Sequence, residues 1–567
     1  MSTNTLLNHL VPRHPTLLNK ESHDYKENIV EWQKLISQLK ERLNEATSEG
    51  KPKHIALHKK RGQLSARERI ELLLDEDSPF LELCALAGYG QDDMTLGGSV
   101  VSGIGLVNGV ICMISANVPT MAGGASNEVS VLKSGRSHQI AMQNRLPTIT
   151  LTQSAGANLQ QQFRVFHRGG AGFRNQALQS KAGIPSCCIV FGNSTAGGAY
   201  IPGMSDYTIM VKKQAQVFLG GPPLVQMATG EVTDAESLGG ADMHSRISGL
   251  SDQLAMDEYD AISKARDWIA NLNWEQKGKL PLRHLTGEYE EPYYDAGKFK
   301  IIKAKSTKLN VYLSLYIEEL LGIVSTNIRI PFNATEVIIR IVDGSRFTVF
   351  KPNYGVNLVC GWAFIHGIPV GILANNNVIF NQEANKATQF VQLCNTKHTP
   401  LIFMQNITGF MVGKRYEEEG IVKAGSQFIN AISNSKVPAI TIMMGASYGA
   451  GNYAMYGRAY EPRFLFSWPN SKCSVMGAEQ LTGVLDIVTR QSAARSKQKI
   501  DEEQLNQQKA LFQASVEAES DVYYTSSRLL DDGIIDPRDT RNVLGFCLSV
   551  VYNNNVEGGN LHGVSRI

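Results

Sequence analysis

Apolar positions recur at helical spacing mainly at the start of the chain. From residue 24 to about 74, Ile29, Trp32, Leu35, Ile36, Leu39 and Leu43 stand three and four apart in a charged, glycine-poor background, which predicts a helical N-terminal arm over residues 1–75. After Pro79 the texture changes to short β-branched or apolar runs, closed by glycine turns and followed by helix-period stretches, as in an α/β protein. The predicted strands lie at 106–117, 148–152, 187–191, 370–374, 401–404 and 439–444.

These strands come in two sets with the same order, the mark of an internal duplication. GLVNGVICMISAN (105–117) matches WAFIHGIPVGILAN (362–375), and Asn117 to Asn375 is an offset of 258. TITLTQSAGANL (148–159) matches LIFMQNITGFMV (401–412), with Gly156 to Gly409 an offset of 253. CIVFGNSTAGGAY (188–200) matches AITIMMGASYGAGNY (439–453), with Gly198 to Gly451 again 253 apart. Two similar half-chains therefore follow the arm, 76–290 and 291–567, joined through a Glu-, Lys-, Tyr- and Pro-rich link at about 274–332.

Composition narrows the function without naming it. The net charge of +2 is too balanced for a general nucleic-acid or membrane-surface binder, so neither partner is expected. The 51 glycines against 20 prolines, with 43% hydrophobic residues, point to close backbone approaches in a folded protein. The eight cysteines form no C-x-x-C and mostly sit in apolar runs, as reduced core residues do. With no apolar run of membrane-spanning length and no signal-like or transit-like N-terminus, the expected compartment is the cytoplasm rather than a mitochondrial matrix.

The candidate chemistry lies in the glycine turns. Each half repeats a buried strand, a turn and a helix: Ser194 to Tyr200 closes one strand and Ser447 to Tyr453 its counterpart. A helix begun at such a turn presents unsatisfied N–H groups and the positive end of its dipole, which stabilise a developing enolate oxygen without any side chain. Glycine is needed because a Cβ would block the approach, and two matched turns suit transfer of a group between two carbonyl-like acceptors. The alternative is that the glycines only let helix and strand pack closely.

Other chemistries find less support. Gly445-Ala446-Ser447-Tyr448-Gly449 has the G-x-S-x-G form of a serine hydrolase, but the only downstream histidine, His562, sits in a Gly- and Asn-rich tail, and Ser447→Ala is expected to be nearly silent. The twelve histidines form no H-E-x-x-H and no P-loop is present, so neither a metal nor a nucleotide is expected on this chain. Lys133, Arg136, Arg164, Arg168 and Arg174 fall near the glycine turns of the first half and are candidates for the phosphates of a nucleotide-like carrier.

Longer segments carry a family resemblance. RGQLSARERIELLLDEDSPFLEL (61–83), STAGGAYIPGMSD (194–206), FLGGPPLVQMATGE (218–231), LGGADMHSRISGLSD (238–252), QNITGFMVGKRYEEEGIVKAG (405–425), GASYGAGNYAMYGRAYEPRFLFSWPN (445–470) and RLLDDGIIDPRDTRNVL (528–544) resemble the carboxyltransferase (β) subunit of biotin-dependent acyl-CoA carboxylases, nearest the methylcrotonyl-CoA group. The resemblance implies two tandem crotonase-like β–β–α superhelix domains of the ClpP/crotonase superfamily after the helical arm. It implies that carboxybiotin, delivered by a biotin carboxylase/biotin carrier (α) subunit, releases CO2, that the ureido anion deprotonates the acyl-CoA, and that the enolate attacks the CO2.

Carried onto this sequence, the amides of Gly197 and Gly198 would hold the thioester enolate and those of Ala450 and Gly451 the ureido oxygen, with Gly156 and Gly409 in support. Acyl-CoA on the first domain of one subunit and biotin on the second domain of another imply a homo-oligomer, commonly a hexameric β core. No Met-Lys-Met biotinylation site or ATP-grasp loop occurs, so biotin and the ATP-driven step are expected on another polypeptide.

Departures bear on the substrate. Gly123 to Glu128 with a single Lys133 replaces a GGTYYP-like segment and paired lysines. FRVFHRGGAGFR (163–174) brings in Gly169, Gly170 and Gly172, leaving room for a longer or branched chain such as geranyl-CoA beside 3-methylcrotonyl-CoA. Propionyl- or acetyl-CoA carboxylase and a glutaconyl-CoA-type decarboxylase remain alternatives, as do a lone crotonase-type hydratase or hydrolase and a silent scaffold. The link at 298–316 looks longer than usual.

Overall fold

Residues 12–92, 94–280, 289–294, 318–376, 378–559 and 563–565 are described by the computed structural model. The expected boundary near residue 290 falls beside undescribed stretches, and the long link at 298–316 lies outside the described residues.

Among the described residues the arm contains three helices, α1 (His23–Ala46), α2 (Pro52–Lys60) and α3 (Ala66–Leu73). Ser22 caps α1 by accepting from the Tyr25 amide, and Ser65 with Glu68 forms a capping box on α3. The apolar face of α1 is seated in the body of the protein. Trp32 is fully buried, donates from Nε1 to the Val324 carbonyl at 2.7 Å, and meets Trp468 edge-on at 6.1 Å. Arg69 of α3 is equally buried and forms a fork with Glu258, both bonds 2.8 Å.

The first half builds a sheet ordered β1-β2-β3-β4-β5-β6-β8, with β7 added beside β5. Its strands are β1 (Leu81–Glu82), β2 (Val100–Val107), β3 (Val110–Asn117), β4 (Thr148–Ser154), β5 (Ser186–Thr195), β6 (Tyr207–Val211), β7 (Gln216–Phe218) and β8 (Gln253–Ala255). The second half builds β14-β13-β12-β11-β10-β9, with β15 beside β13. These are β9 (Thr348–Val349), β10 (Leu358–Ile365), β11 (Ile368–Asn375), β12 (Leu401–Ile407), β13 (Ala439–Tyr448), β14 (Phe464–Ser467) and β15 (Lys472–Ser474).

The single strand expected at 106–117 is in fact the tail of β2, a turn and β3. Asn108 (φ 46°) and Gly109 (φ 74°) take the left-handed conformation of a tight hairpin turn, as do His366 (φ 49°) and Gly367 (φ 76°) in the second half. The apolar alternation runs through this two-residue turn, which is why the two strands read as one.

The duplication is exact in register. β3 meets β4 with Met113 opposite Thr148, and β11 meets β12 with Gly371 opposite Leu401. The β4–β5 ladder shifts between Thr152 and Ser154, and the β12–β13 ladder between Gln405 and Ile407. Even a buried lysine is repeated. Lys133 on α4 (Glu128–Asn144) donates to the Val100 carbonyl at 2.9 Å and to Gly97 at 3.5 Å, while Lys386 on α5 (Asn381–Thr396) donates to the Gly355 carbonyl at 3.2 Å. Burial holds both ammonium groups below their ordinary pKa.

One apolar cluster is common to both halves, joining Trp32, Ile104 and Ile140 to Val337, Ile442, Trp468 and Leu548. Its polar lock is Asp532, which accepts two 2.7 Å bonds from Arg136 and one of 3.0 Å from Arg458. Burial opposes that charge, but the two guanidinium groups outweigh it and hold the carboxyl below its usual range.

Candidate functional site

The first turn forms where β5 leaves its main ladder. Ser194 and Thr195 pair with Val217 and Phe218 of β7, and Ala196 then turns into the left-handed region (φ 55°) to start the 3-10 segment Ala196–Ala199. Ala196 and Gly197 are exposed and Gly198 is half-buried. The Ser194 hydroxyl donates to the Gly198 carbonyl at 2.9 Å, tying the turn to its strand. A Cβ built on Gly198 would sit 3.5 Å from that hydroxyl, ordinary contact, whereas one on Gly197 would stand 3.3 Å from the Phe173 ring. Gly156 (φ 96°) follows β4, and its carbonyl accepts from the Ser126 amide at 2.8 Å.

The second turn repeats this plan with a tighter base. Gly449 (φ 58°) begins the helix Gly449–Ala454, Ala450 is exposed, and Gly451 is buried. A Cβ on Gly451 would come 2.6 Å from Ile407 Cγ1 and 3.1 Å from Gly409 Cα. Gly409 (φ 121°) receives the Ile379 amide at 3.2 Å, just as Gly156 receives Ser126. Beneath the turn runs a buried relay. Asn452 donates to Ser447 Oγ at 2.7 Å, Ser447 donates to Gln405 Oε1, and Gln405 donates to the Met455 carbonyl at 2.7 Å.

The same geometry bears on the G-x-S-x-G run around Ser447. Its side chain is fully buried and held on both sides by amides, so it is a brace rather than an exposed nucleophile. His562 lies outside the described residues. The relay itself was not anticipated. Its signal was present in the G-x-S-x-G run and the Gln405 that opens QNITGF, but their contact across two strands is not a sequence spacing.

The five candidate cations separate into two groups. Lys133 and Arg136 are corrections. Lys133 is 1% exposed with its Nζ spent on backbone carbonyls, and Arg136 is 7% exposed in the fork with Asp532, so neither reaches a ligand phosphate. Arg164, Arg168 and Arg174 do stand exposed on α6 (Gln162–Lys181), whose Phe173 borders the first turn and meets Tyr200 edge-on at 5.5 Å. Arg164 and Arg168 face Glu128 at 3.3 and 3.6 Å, and Arg174 donates to Asn175 at 3.3 Å.

The turns close different sheets, so the chain does not gather them into one hole. A cavity of about 540 Å3 reaches the second turn through Thr408 and Tyr448, the residues before Gly409 and Gly449. Asn327, Arg329, Asn470, Lys472 and Glu517 also line it. Asn470 is 8% exposed, and its Oδ1 is a buried acceptor with no partner among the described residues.

Comparison with known proteins agrees with this arrangement. The Carboxyl transferase domain model matches residues 57–564. The chain is 51% identical over 551 residues to a Mycobacterium tuberculosis protein named "Probable biotin-dependent acyl-coenzyme A carboxylase beta2 subunit", covering 97% of this chain and 99% of that one. It is 45% identical to a Drosophila melanogaster protein named "Probable methylcrotonoyl-CoA carboxylase beta chain, mitochondrial", covering 95% and 92%. Among solved structures, the P. aeruginosa geranyl-CoA carboxylase β subunit superposes with a TM-score of 0.85 at 38% identity, covering 98% of this chain and all of that one.

Proposed function

The chain belongs to the carboxyl transferase domain family, and on that footing we propose how its two turns divide the work of a biotin-dependent acyl-CoA carboxylase. It is the carboxyltransferase (β) subunit of such an enzyme, with the crotonase-like α/β fold, and it works with biotin carried on a partner subunit. Biotin supplies the carboxyl group.

The amides of Gly197 and Gly198 hold the thioester oxygen of the acyl-CoA as its enolate develops, the point at which fixed N–H dipoles lower the barrier most. The amides of Ala450 and Gly451 receive the ureido oxygen, and Gly156 and Gly409 keep the neighbouring strand ends clear. Residues 76–290 thus serve the acyl-CoA and residues 291–567 the biotin. Arg164, Arg168 and Arg174 meet the CoA phosphates from α6. The observation that carries this reading is the second glycine turn, placed on β13 in the same register as the first on β5.

A homo-oligomer with a hexameric β core, joined to a biotin carboxylase/biotin carrier (α) subunit, completes the enzyme. Exposed apolar side chains support it. Phe163, Phe166, Met227 and Ile247 of the first half are 78–88% exposed, and Ile487, Val488 and Leu511 of the second half are also exposed. No described helix is long and apolar enough to cross a membrane, and we place the enzyme in the cytoplasm. The substrate is 3-methylcrotonyl-CoA or a longer branched acyl-CoA such as geranyl-CoA, because Gly169, Gly170 and Gly172 keep α6 slim beside the first turn.

The test is bicarbonate fixation by the chain reconstituted with its biotinylated partner and ATP, over acetyl-, propionyl-, 3-methylcrotonyl- and geranyl-CoA. Preference for the branched thioesters is the expected result. Preference for acetyl- or propionyl-CoA overturns the substrate, and silence across the panel from an assembled, biotinylated complex overturns the assignment of the turns.

A further inference from the structure

We propose that His244 is a positioning residue for the first turn, holding β7 through the Val217 carbonyl so that the amides of Gly197 and Gly198 keep their aim; this rests on the assignment of that turn to the acyl-CoA. β7 is only three residues long and stands off the main ladder, pairing with Asn193, Ser194 and Thr195, the residues that lead into the turn. A strand this short is held weakly by one neighbour alone.

Beside the β5 ladder and the Gly240 bridge to Gln216, the imidazole supplies a further hold. His244 Nε2 lies 2.7 Å from the Val217 carbonyl oxygen, and Nδ1 lies 2.6 Å from Ser248 Oγ. A carbonyl can only accept, so Nε2 carries a proton, and in the neutral ring Nδ1 is left to accept from the Ser248 hydroxyl, which also lies 3.4 Å from the His244 carbonyl. The chain winds through a π-helical turn from His244 to Ser248, ended by Gly249 in the left-handed region, and this wider turn sets the two side chains together. Gly239 packs on the same carbonyl, where a Cβ would come within 2.3 Å of the oxygen.

The duplication provides an internal control. In the second half, Cys473 pairs with Ser447 as Val217 does with Ser194, and Asp521 bridges Lys472 as Gly240 bridges Gln216. Four residues beyond Asp521, where His244 stands beyond Gly240, is Thr525, whose hydroxyl turns back to the Val522 carbonyl at 3.1 Å. That half carries the Gln405, Ser447 and Asn452 relay under its turn. The first half has only the Ser194 hydroxyl there, and the histidine makes up the difference from outside.

The test compares His244→Gln, His244→Asn, His244→Ala and Ser248→Ala in the reconstituted enzyme. A glutamine amide nitrogen reaches the place of Nε2, whereas an asparagine nitrogen reaches only that of Nδ1. With the turn misplaced, kcat falls about tenfold in the Ala and Asn variants while KM for acyl-CoA stays within about twofold, since transition-state rather than ground-state contacts are lost. The Gln variant recovers to within about threefold of wild type, and Ser248→Ala, on an exposed hydroxyl, loses about threefold.

Amide hydrogen exchange gives a readout independent of turnover: protection over 194–199 and 216–218 falls in His244→Ala and returns in His244→Gln. Wild-type kcat in His244→Ala overturns the proposal, as does equal loss in the Gln and Asn variants or unchanged exchange over those two segments. A wild-type enzyme that carboxylates no acyl-CoA overturns the functional assignment instead, leaving the exchange result to decide the brace.

Discussion

The two glycine turns share strand order, register and the positive-φ entry residue, yet their surroundings differ. At the first, Ala196 and Gly197 are exposed, a Cβ on Gly198 would find room, and the polar ties are one hydroxyl below and one imidazole beside it. At the second, Gly451 is pressed against Ile407 and Gly409, and a buried three-residue relay runs underneath. The same backbone device has been kept in a loose and a rigid form. A relay that leaves no buried amide unpaired fixes geometry at the cost of adaptability, which would suit the unchanging ring that the proposed division of work places there. On the same proposal the looser turn would meet the variable acyl group.

The sharpest way to break the comparison is to add a branched side chain to each turn. Gly451→Val drives a Cβ to 2.6 Å from Ile407 Cγ1, so transfer is lost by more than about 10³-fold and the fold is weakened by about 1–3 kcal/mol, the usual range for overpacking. Carboxylation assays and thermal melts of the purified chain check both. Gly198→Val, whose Cβ is only in ordinary contact with Ser194 Oγ at 3.5 Å, loses about 10²- to 10³-fold in kcat from blocked approach and keeps its melting temperature. Equal destabilisation of the two variants would erase the distinction between a loose and a rigid turn.

Removing the polar ties separates the turns by a smaller margin. Ser447→Ala leaves the buried Gln405 Oε1 without its donor and Asn452 Nδ2 with only Cys473 Sγ at 3.7 Å, a cost of about 1–3 kcal/mol in denaturant unfolding. The near silence expected of this variant concerns turnover, and the stability cost is a separate outcome. Ser194→Ala removes one bond at an open turn and costs about 0.5–1.5 kcal/mol. A Ser194→Ala variant as weak as Ser447→Ala would mean the relay adds nothing.

What could be read from the sequence follows the same division. Periodicity and the repeat located α1, both sheets and both turns, because those depend on local spacing and on glycine patterns repeated at a fixed offset. The hairpin turns at Asn108-Gly109 and His366-Gly367 were hidden inside continuous apolar runs. Lys133 and Arg136 were misjudged because charge alone does not say which way a helix faces. Lys386, offset 253 from Lys133 like the landmark glycines, is the sequence sign that the lysine belongs to the repeated framework. Ties between distant strands, such as Ser447 to Gln405, and between the halves, such as Arg136 to Asp532, leave no spacing to find.

The finest test concerns the rim that only the first turn has been assigned. Arg164 and Arg168 are 44% and 60% exposed and both face Glu128. A solvent-screened pair of this kind contributes little to stability, so Arg168→Ala should melt as wild type does while its KM for acyl-CoA rises about two- to fivefold, an effect that fades above about 0.5 M salt. Glu128→Gln should move KM the other way, since it removes the carboxylate that competes with a CoA phosphate for the same guanidinium groups. Opposite shifts from these two substitutions place phosphate on α6. Shifts in the same direction would mean that Arg168 acts through its packing on the helix, and the rim would then carry no part of the contrast between the turns.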